Sequence, residues 1–508
     1  MVKIPEFIGS IANANKSFSK AKTKYEEWRS MFQDAFDYSM PDRETFRRHS
    51  PGNERNRQVY DYTATEGIEV FANKIQHGFF PPWMNWLKFE AGRFVPEDQS
   101  FDMDEKLEEG EQVFFDNLHS SNFSTEITPS LKDYAVSAGC IEAEAGRLGN
   151  LNDPLFHFIY IPLSEIYPVA PPYGPVKSSW REHKVEAGHI LITWPKAELP
   201  NTLKTLIKKE PTTLVNIKNG HICDYKTGKY HQLIIYEDEL IYTQVFNTCR
   251  RIYFRPSVTA GETAGRGPII RVLPAIRTAN KMCQFSLQHA ALQMAGMFTG
   301  VDDGIFNPST VRIVPGNVIP VASNNSQNPT LSRVPSAGDI GLGELRLEDL
   351  RDAINVALFS SPLGETGDPV KSAAEQMLRH QDDMKRSGTS FGRLYSELIQ
   401  PLVYACIDIM KIRGEFPDIK VDGKEVKIRL ESPLAKQKEL EEFQNIQIWL
   451  QAMQLIDPQM ALIGAKQEAI PAYMADRLSI PKALVREETE IKALTEQVMQ
   501  QIGEASAE

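Results

Sequence analysis

The chain has 508 residues, 42% of them hydrophobic and 24% charged, with a formal net charge of -11 at pH 7. That length allows one very large domain or several ordinary ones, with enough apolar material for real cores. The acidic balance excludes a surface that grips nucleic acid everywhere, because phosphate binding is carried by Lys and Arg; a small basic ring, or a passage that DNA crosses without sticking, stays open.

Five cysteines, Cys140, Cys223, Cys249, Cys283 and Cys406, are scattered and odd in number, which fits a reduced, intracellular protein with no cysteine-built zinc site. No apolar run approaches the roughly 18 residues of a membrane span. Residues 1–18 lack the apolar core of a signal peptide. A soluble chain, or one built into a soluble assembly, is expected, with no membrane partner.

Residues 1–24 carry five lysines against one glutamate and read as a basic arm, either a solvated tail or a partner contact. From Phe18 one amphipathic helix is predicted, with Tyr25, Trp28, Phe32 and Phe36 on one face, ending before Pro41. A helix over about 63–77 leads to Gly78-Phe79-Phe80-Pro81-Pro82-Trp83-Met84-Asn85-Trp86, a rigid turn that should bury its rings. Residues 97–111 hold eight acidic residues and one lysine. Leu107, Val113, Phe114 and Leu118 mark the other face, so the acidic run reads as the solvated side of a helix rather than an acid–base pair. Another helix is expected over about 130–137. From 140 to about 256 the period shifts toward two: 156–161, 233–236, 240–246 and 251–254 read as strands, with a helical stretch over 195–209 broken at Pro200. The fold class is α+β, mainly helical.

Two helices follow, about 45 residues apart. The first, over about 274–297, sets Leu273, Ile276, Asn280, Cys283, Leu287, Ala290, Met294 and Met297 at alternating steps of three and four, a heptad-like seam interrupted at Asn280. Arg277, Lys281, Gln284 and Gln288 fall on another face. The second, over about 344–359, has the stripe Leu347, Leu350, Ile354 and Ala357 and carries Arg346 and Arg351. A loop comes next: Ser360, Ser361, Pro362, Leu363, Gly364, Glu365, Thr366, Gly367, Asp368, Pro369, Val370 and Lys371. The capping box Ser372-Ala373-Ala374-Glu375 opens a long helical region, with Phe391, Leu394, Leu398, Leu402 and Cys406 on its buried face and bends at Gly388 and Pro401. Residues 416–430 read as a hairpin around Asp422-Gly423, and 433–508 as further helices divided at Pro458, Pro471 and Pro481.

Tests for chemistry come back empty. Gly388-Thr389-Ser390-Phe391-Gly392 has the spacing of a nucleophile elbow, but that motif needs a strand before it and 375–386 reads as helix. Residues 261–267 are Gly-rich without the Gly-Lys-Ser/Thr that completes a phosphate loop, and Lys226-Thr227-Gly228-Lys229 reads as a turn between strands. The ten histidines show no zinc-ligand spacing, and no Asp/Asn ladder resembles a calcium loop. No catalytic residue, metal or cofactor is assigned, and an enzyme is not expected.

The order of parts resembles the portal, or head-to-tail connector, proteins of short-tailed, podovirus-type bacteriophages. The resemblance is carried by 72–86, by 158–166 (Phe-Ile-Tyr-Ile-Pro-Leu-Ser-Glu-Ile), by Tyr253-Phe254-Arg255-Pro256 with Gly261-Glu262 and Gly265-Arg266-Gly267-Pro268, and by Ser372-Ala373-Ala374-Glu375. Further on come Arg393-Leu394, Glu397-Leu398, Pro401-Leu402 and Ser432-Pro433-Leu434-Ala435, so the matching positions span about 370 residues. The Phe-Phe-Pro-Pro-Trp turn differs in detail from the family's form, and 299–341 are assigned by position alone.

The resemblance implies a portal-type subunit that assembles as a ring of about twelve copies at one capsid vertex. Residues 1–265 would be the arm and wing, 266–298 and 342–360 the stem helices, 299–341 the clip, 361–371 the channel loop, 372–432 a long wing helix and hairpin, and 433–508 the crown. Arg277, Lys281, Gln284, Gln288, Arg346 and Arg351 are the candidates for facing the channel, and Leu273, Ile276, Asn280, Cys283, Leu287 and Met294 for a seam between subunits. Implied partners are further copies of the chain, double-stranded DNA in the channel, the terminase large subunit, capsid and scaffolding proteins, and tail adaptor and internal ejection proteins. The place would be the virion's portal vertex, after synthesis in the host cytoplasm. Two alternatives stay open: a nucleic-acid-processing enzyme without a recognisable motif, and another ring-forming virion adaptor.

Overall fold

The structure, a computed structural model, describes residues 4–43, 46, 56–91, 97–146, 153–259, 261–295, 298–300, 331–333, 340–359, 392–416, 426–430, 446–449, 451–453, 470 and 473–474. In chain order the first elements are α1 (Ile11–Glu26), α2 (Arg29–Ser39), α3 (Thr63–Phe79), β1 (Leu87–Ala91), α4 (Glu97–His119) and α5 (Phe123–Val136). Then come β2 (Gly139–Ala145), β3 (Phe156–Tyr160), β4 (Ile166–Pro168), β5 (Ser179–Glu186), α6 (Ile190–Thr193), α7 (Asn201–Lys209), β6 (Leu214–Cys223), β7 (Tyr230–Tyr236), β8 (Glu239–Phe246) and β9 (Arg251–Phe254). They are followed by α8 (Pro268–Ala295), β10 (Phe298–Gly300), β11 (Leu331–Arg333), α9 (Ile340–Ala357), α10 (Gln400–Arg413) and β12 (Val426–Leu430). The expected hairpin turn at 417–425, the capping box, Gly388 and the elbow-like Gly388–Phe391 stretch lie outside the described residues, as does most of 433–508.

The N-terminal segment is two helices rather than one helix and a solvated tail. Ser10 caps α1, its hydroxyl accepting from the Asn13 N–H at 3.2 Å. The axis breaks at Glu27 and Trp28, because the two helices cover different cores. α1 buries Ala14, Phe18 and Ala21 against Trp180, Leu233 and Ile235 of the larger sheet. α2 buries Phe32, Ala35 and Phe36 in the main core. Two lysines flank this contact: Lys22 of α1 pairs with Glu182 at 2.7 Å, and Lys218 of β6 donates to the Asn15 side chain at 3.1 Å. In the aromatic turn Phe79, Phe80 and Trp86 are buried as expected, while Trp83 is 70% exposed.

Among the described residues every strand pairing is antiparallel, and the two larger sheets have the orders β3-β2-β9 and β4-β5-β6-β7-β8. A polar layer joins them. Arg251 of β9 donates to Glu142 of β2 and to the Asn219 carbonyl of β6, each at 2.9 Å, and His221 Nε2 of β6 lies 2.9 Å from the same carboxylate. Burial works against the Glu142 charge, but Arg251 and then His221 hold it well below the usual range. Two residues along, burial and the charge of Glu142 push Glu144 up to about 7. The strand β12 pairs with β1, Leu87 opposite Leu430 and Phe89 opposite Ile428. Its described partner is therefore distant in sequence rather than the adjoining arm of a local hairpin.

The start of α8 is set by close backbone packing. Gly267 N–H donates to the Val136 carbonyl at 2.8 Å, and Ser137 Oγ donates to the Gly265 carbonyl at 2.9 Å. A Cβ on Gly267 would stand 2.1 Å from the Ala135 carbonyl oxygen, and one on Gly265 2.2 Å from that of Ser137. The linker thus lies on the carboxyl end of α5, and only glycine allows it. On the C-terminal side a π-turn over Tyr395–Ile399 precedes Pro401, which has no N–H to give a regular helix, so the expected bend is a change of hydrogen-bond register. Within it the buried Glu397 accepts from the Arg255 N–H at 2.9 Å and from Arg255 Nη2 at 2.7 Å.

Gly267→Ala is expected to destabilise the chain by about 1–3 kcal/mol, because the helix end must move to admit a methyl group; an unchanged melting temperature would contradict the close approach. Glu144→Gln tests the polar layer by pH. A carboxyl raised by folding contributes stability that is fully present below the ordinary Glu range and lost as pH rises through about 7. The variant should therefore melt several degrees higher than wild type at pH 8 and the same at pH 4.5, and a pH-independent difference would refute the assignment.

Candidate functional site

The paired helices α8 and α9 pack against each other. With 28 and 18 residues they are about 42 and about 27 Å long. At their far end β10 and β11 pair antiparallel, Phe298 opposite Arg333 and Gly300 opposite Leu331, so the chain returns where it left. The rest of the stretch read as the clip, 301–330 and 334–339, lies outside the described residues. So do Ser360, Ser361, Pro362, Leu363, Gly364, Glu365, Thr366, Gly367, Asp368, Pro369, Val370 and Lys371.

The apolar stripe of α8 does its packing inside the chain. Ile269, Leu273, Ile276 and Ala279 join the main core, and Ile354 of α9 is fully buried there with Leu347 and Leu350 packed against it. Asn280 is the polar interruption, and its reason is a strap formed by 58–61. Its Oδ1 accepts from the Tyr60 and Asp61 N–H groups at 2.6 and 3.1 Å, and its Nδ2 donates to the Gln58 carbonyl at 2.8 Å. One side chain thus satisfies three backbone groups of a segment with no ladder of its own.

Asp61 extends this knot to both helices. Its Oδ2 accepts from Arg351 Nε at 2.8 Å and from Cys283 Sγ at 3.4 Å, and its Oδ1 accepts from the Thr63 N–H at 3.0 Å, just where α3 begins. Burial raises the carboxyl's pKa, but the hydrogen bonds from Thr63 and Arg351 outweigh it and hold Asp61 below its ordinary value. Burial and the neighbouring carboxylate push the Cys283 thiol up, which keeps it a donor.

These contacts redistribute the residues that sequence reading grouped together. Leu273, Ile276, Asn280 and Cys283 are covered by the chain's own elements. Leu287 is 58% exposed and Met294 lies in the last turn of α8. Arg277 pairs with Asp34 of α2, and Arg351 pairs with Asp61. Lys281 lies 4.9 Å from the Phe285 ring centroid and donates to Gln284 at 2.9 Å, while Gln284 reaches the Tyr60 hydroxyl at 3.4 Å. Gln288 and Arg346 are exposed. Asp34, Asp61 and the strap were missed; Asn280 within an apolar stripe was the strap's trace in the sequence.

The remaining buried carboxylates are structural. Asp133 accepts from the Tyr160 hydroxyl at 2.5 Å and faces Arg43 at 3.4 Å, with burial keeping its pKa above the usual value. Glu142 and Glu397 are held by Arg251 and Arg255. A cavity of about 550 Å³ at the elbow of α1 and α2 is lined by Trp28, Met31, Glu262 and Arg266, with the Arg266 guanidinium 4.9 Å from the Trp28 ring centroid. Among the described residues no group of His, Cys, Asp and Glu could hold a metal ion, and no helix is long and apolar enough to cross a membrane.

Asn280→Leu would complete the apolar stripe, yet it should destabilise the chain by about 1–3 kcal/mol, because the Tyr60 and Asp61 N–H groups lose their acceptor. Equilibrium unfolding in urea reads this directly, and a leucine variant as stable as wild type would mean that the strap is not held by Asn280.

Residues 12–485 match the family described as bacteriophage head to tail connecting protein, a family of structural virion proteins rather than enzymes. No curated protein matches the chain. The matched span takes in both large sheets, the linker, α8, α9 and α10. The chain belongs to the family of bacteriophage head to tail connecting proteins.

Proposed function

We infer that this connector is the portal subunit of its phage. About twelve copies form a ring at one capsid vertex, and double-stranded DNA enters and leaves the head through the central opening. The observation that carries the reading is the family match over 12–485, which embraces a pair of antiparallel helices anchored on a two-sheet base. In this reading α8 and α9 are the stem, the part beyond β10 and β11 is the clip that meets the terminase large subunit and later the tail adaptor, and 360–371 is the channel loop. The regions around the two sheets form the wing that meets capsid and scaffolding proteins, and 433–508 the crown, next to the internal ejection proteins.

A conduit must not hold DNA tightly. A chain with a net charge of -11, repeated around a ring, repels phosphate over most of its surface and limits salt-dependent grip to a few cations. With Arg277 and Arg351 engaged by Asp34 and Asp61, the exposed Arg346 is the stem cation best placed for passing contact. The chain carries no nucleotide-binding motif, and the ATP-driven step is assigned to the terminase.

Light scattering on a sizing column, with negative-stain images of the peak, tests the reading. A ring of about twelve copies with a central hole is expected, and a compact monomer that hydrolyses nucleic acid would overturn it. Replacing 360–371 by a short Gly/Ser linker should leave ring assembly intact and lower packaging or genome retention. Loss of the ring itself would remove the channel-loop assignment.

A further inference from the structure

The outward faces of the two helices differ in charge. α8 contains no Asp or Glu. The side opposite its buried stripe exposes Arg271, Thr278, Lys281 and Phe285, which step by seven, three and four residues. α9 is the reverse. Opposite the buried Ile354 it exposes Leu345, Asp349, Asp352 and Val356, stepping by four, three and four. Among the described residues, none pairs with the Asp349 or Asp352 carboxylates, and Lys281 has only the Gln284 amide and the Phe285 ring beside it. Each helix therefore buries one stripe within the chain and offers a second one outward.

Heights also agree. Arg351 Nη2 lies 3.5 Å from Cys283 Sγ, so 349–352 of α9 stand level with 281–285 of α8. Because the chain goes out along α8 and back along α9, Asp352 is near the height of Lys281 and Val356 near that of Thr278.

We propose that the outward face of α8, through Thr278, Lys281 and Phe285, packs against the outward face of α9, through Leu345, Asp349, Asp352 and Val356, of the next copy in the ring. The inference rests on the ring reading and adds which faces meet. A cyclic ring needs a heterologous contact, in which two different patches meet at every interface. Rotation about an axis parallel to the helices leaves each residue's height unchanged, which brings Lys281 opposite Asp352 of the next copy. Basic against acidic is attractive, whereas α9 against α9 sets like charges together, so the pattern also selects head-to-tail closure over back-to-back pairs. Lys281 is thereby turned toward a neighbour rather than toward DNA.

A charge swap tests this in the full-length chain. Lys281→Glu, Asp352→Lys and the double variant are compared with wild type by light scattering and negative stain over a dilution series, with circular dichroism melts to establish that each variant is folded. Each single variant should raise the concentration needed for half assembly about tenfold, and the double variant should return it close to wild type. Single variants that assemble as well as wild type, or a double variant no better than the worse single one, overturn the contact while the wild-type ring stands. A wild-type chain that forms no ring overturns the portal reading itself, and with it this contact.

Discussion

Three arginines within six residues hold the base on which the long helices stand. Arg250 reaches Asp408 of α10 at 2.7 Å, Arg251 reaches Glu142 of β2 at 2.9 Å, and Arg255 reaches Glu397 in the π-turn at 2.7 Å. All three guanidinium groups are buried. Buried ion pairs are a poor source of net stability, because desolvation offsets much of their attraction. Their effect is on register. Shifting β9 by one residue would strand three buried charges, and an uncompensated one costs about 3–5 kcal/mol. β9 is thus locked to the small sheet, to the larger sheet through the Asn219 carbonyl, and to the C-terminal helix, a few residues before the linker that launches α8.

How much of this was legible in the sequence depended on whether the deciding partner was near. Helices with one apolar face were plain: Leu107, Phe114 and Leu118 of α4 and Ile354 of α9 are buried where the period put them. The strands β2 and β6 were not, and the reason is chemical. Their inward positions include Glu142, Asn219 and His221, so a search for apolar alternation passes over them although all three are buried. The partner of β12 is equally hidden, since Glu90 and Arg429 meet at 2.8 Å across a separation that no local pattern reports. Asn280 showed as a defect in a seam, but its meaning lay in a strap some 220 residues earlier.

The same limit explains the cations of the long helices. Counting Lys and Arg named Arg277 and Arg351, but what they pair with depends on acids elsewhere: Asp34 on α2 takes Arg277, and Asp61 ahead of α3 takes Arg351. Arg277 and Arg351 therefore tie the long helices to α2 and to the segment ahead of α3. What remains outward is an acid-free α8 and an α9 whose exposed carboxylates flank Arg346.

The end of α9 follows the same logic. Phe359 adopts a positive φ of 54°, a conformation that a bulky residue enters only at a cost, about 1–2 kcal/mol. Its ring stacks on Phe71 of α3 with centroids 6.0 Å apart and planes 13° from parallel, and its carbonyl accepts from Lys74 of the same helix. Stacking and the charged hydrogen bond offset the backbone cost and hold the residue there. α3 is in turn tied at its start to Asp61 and so to α8 and α9. The end of α9 is thereby fixed to α3 and, through Asp61, to both long helices.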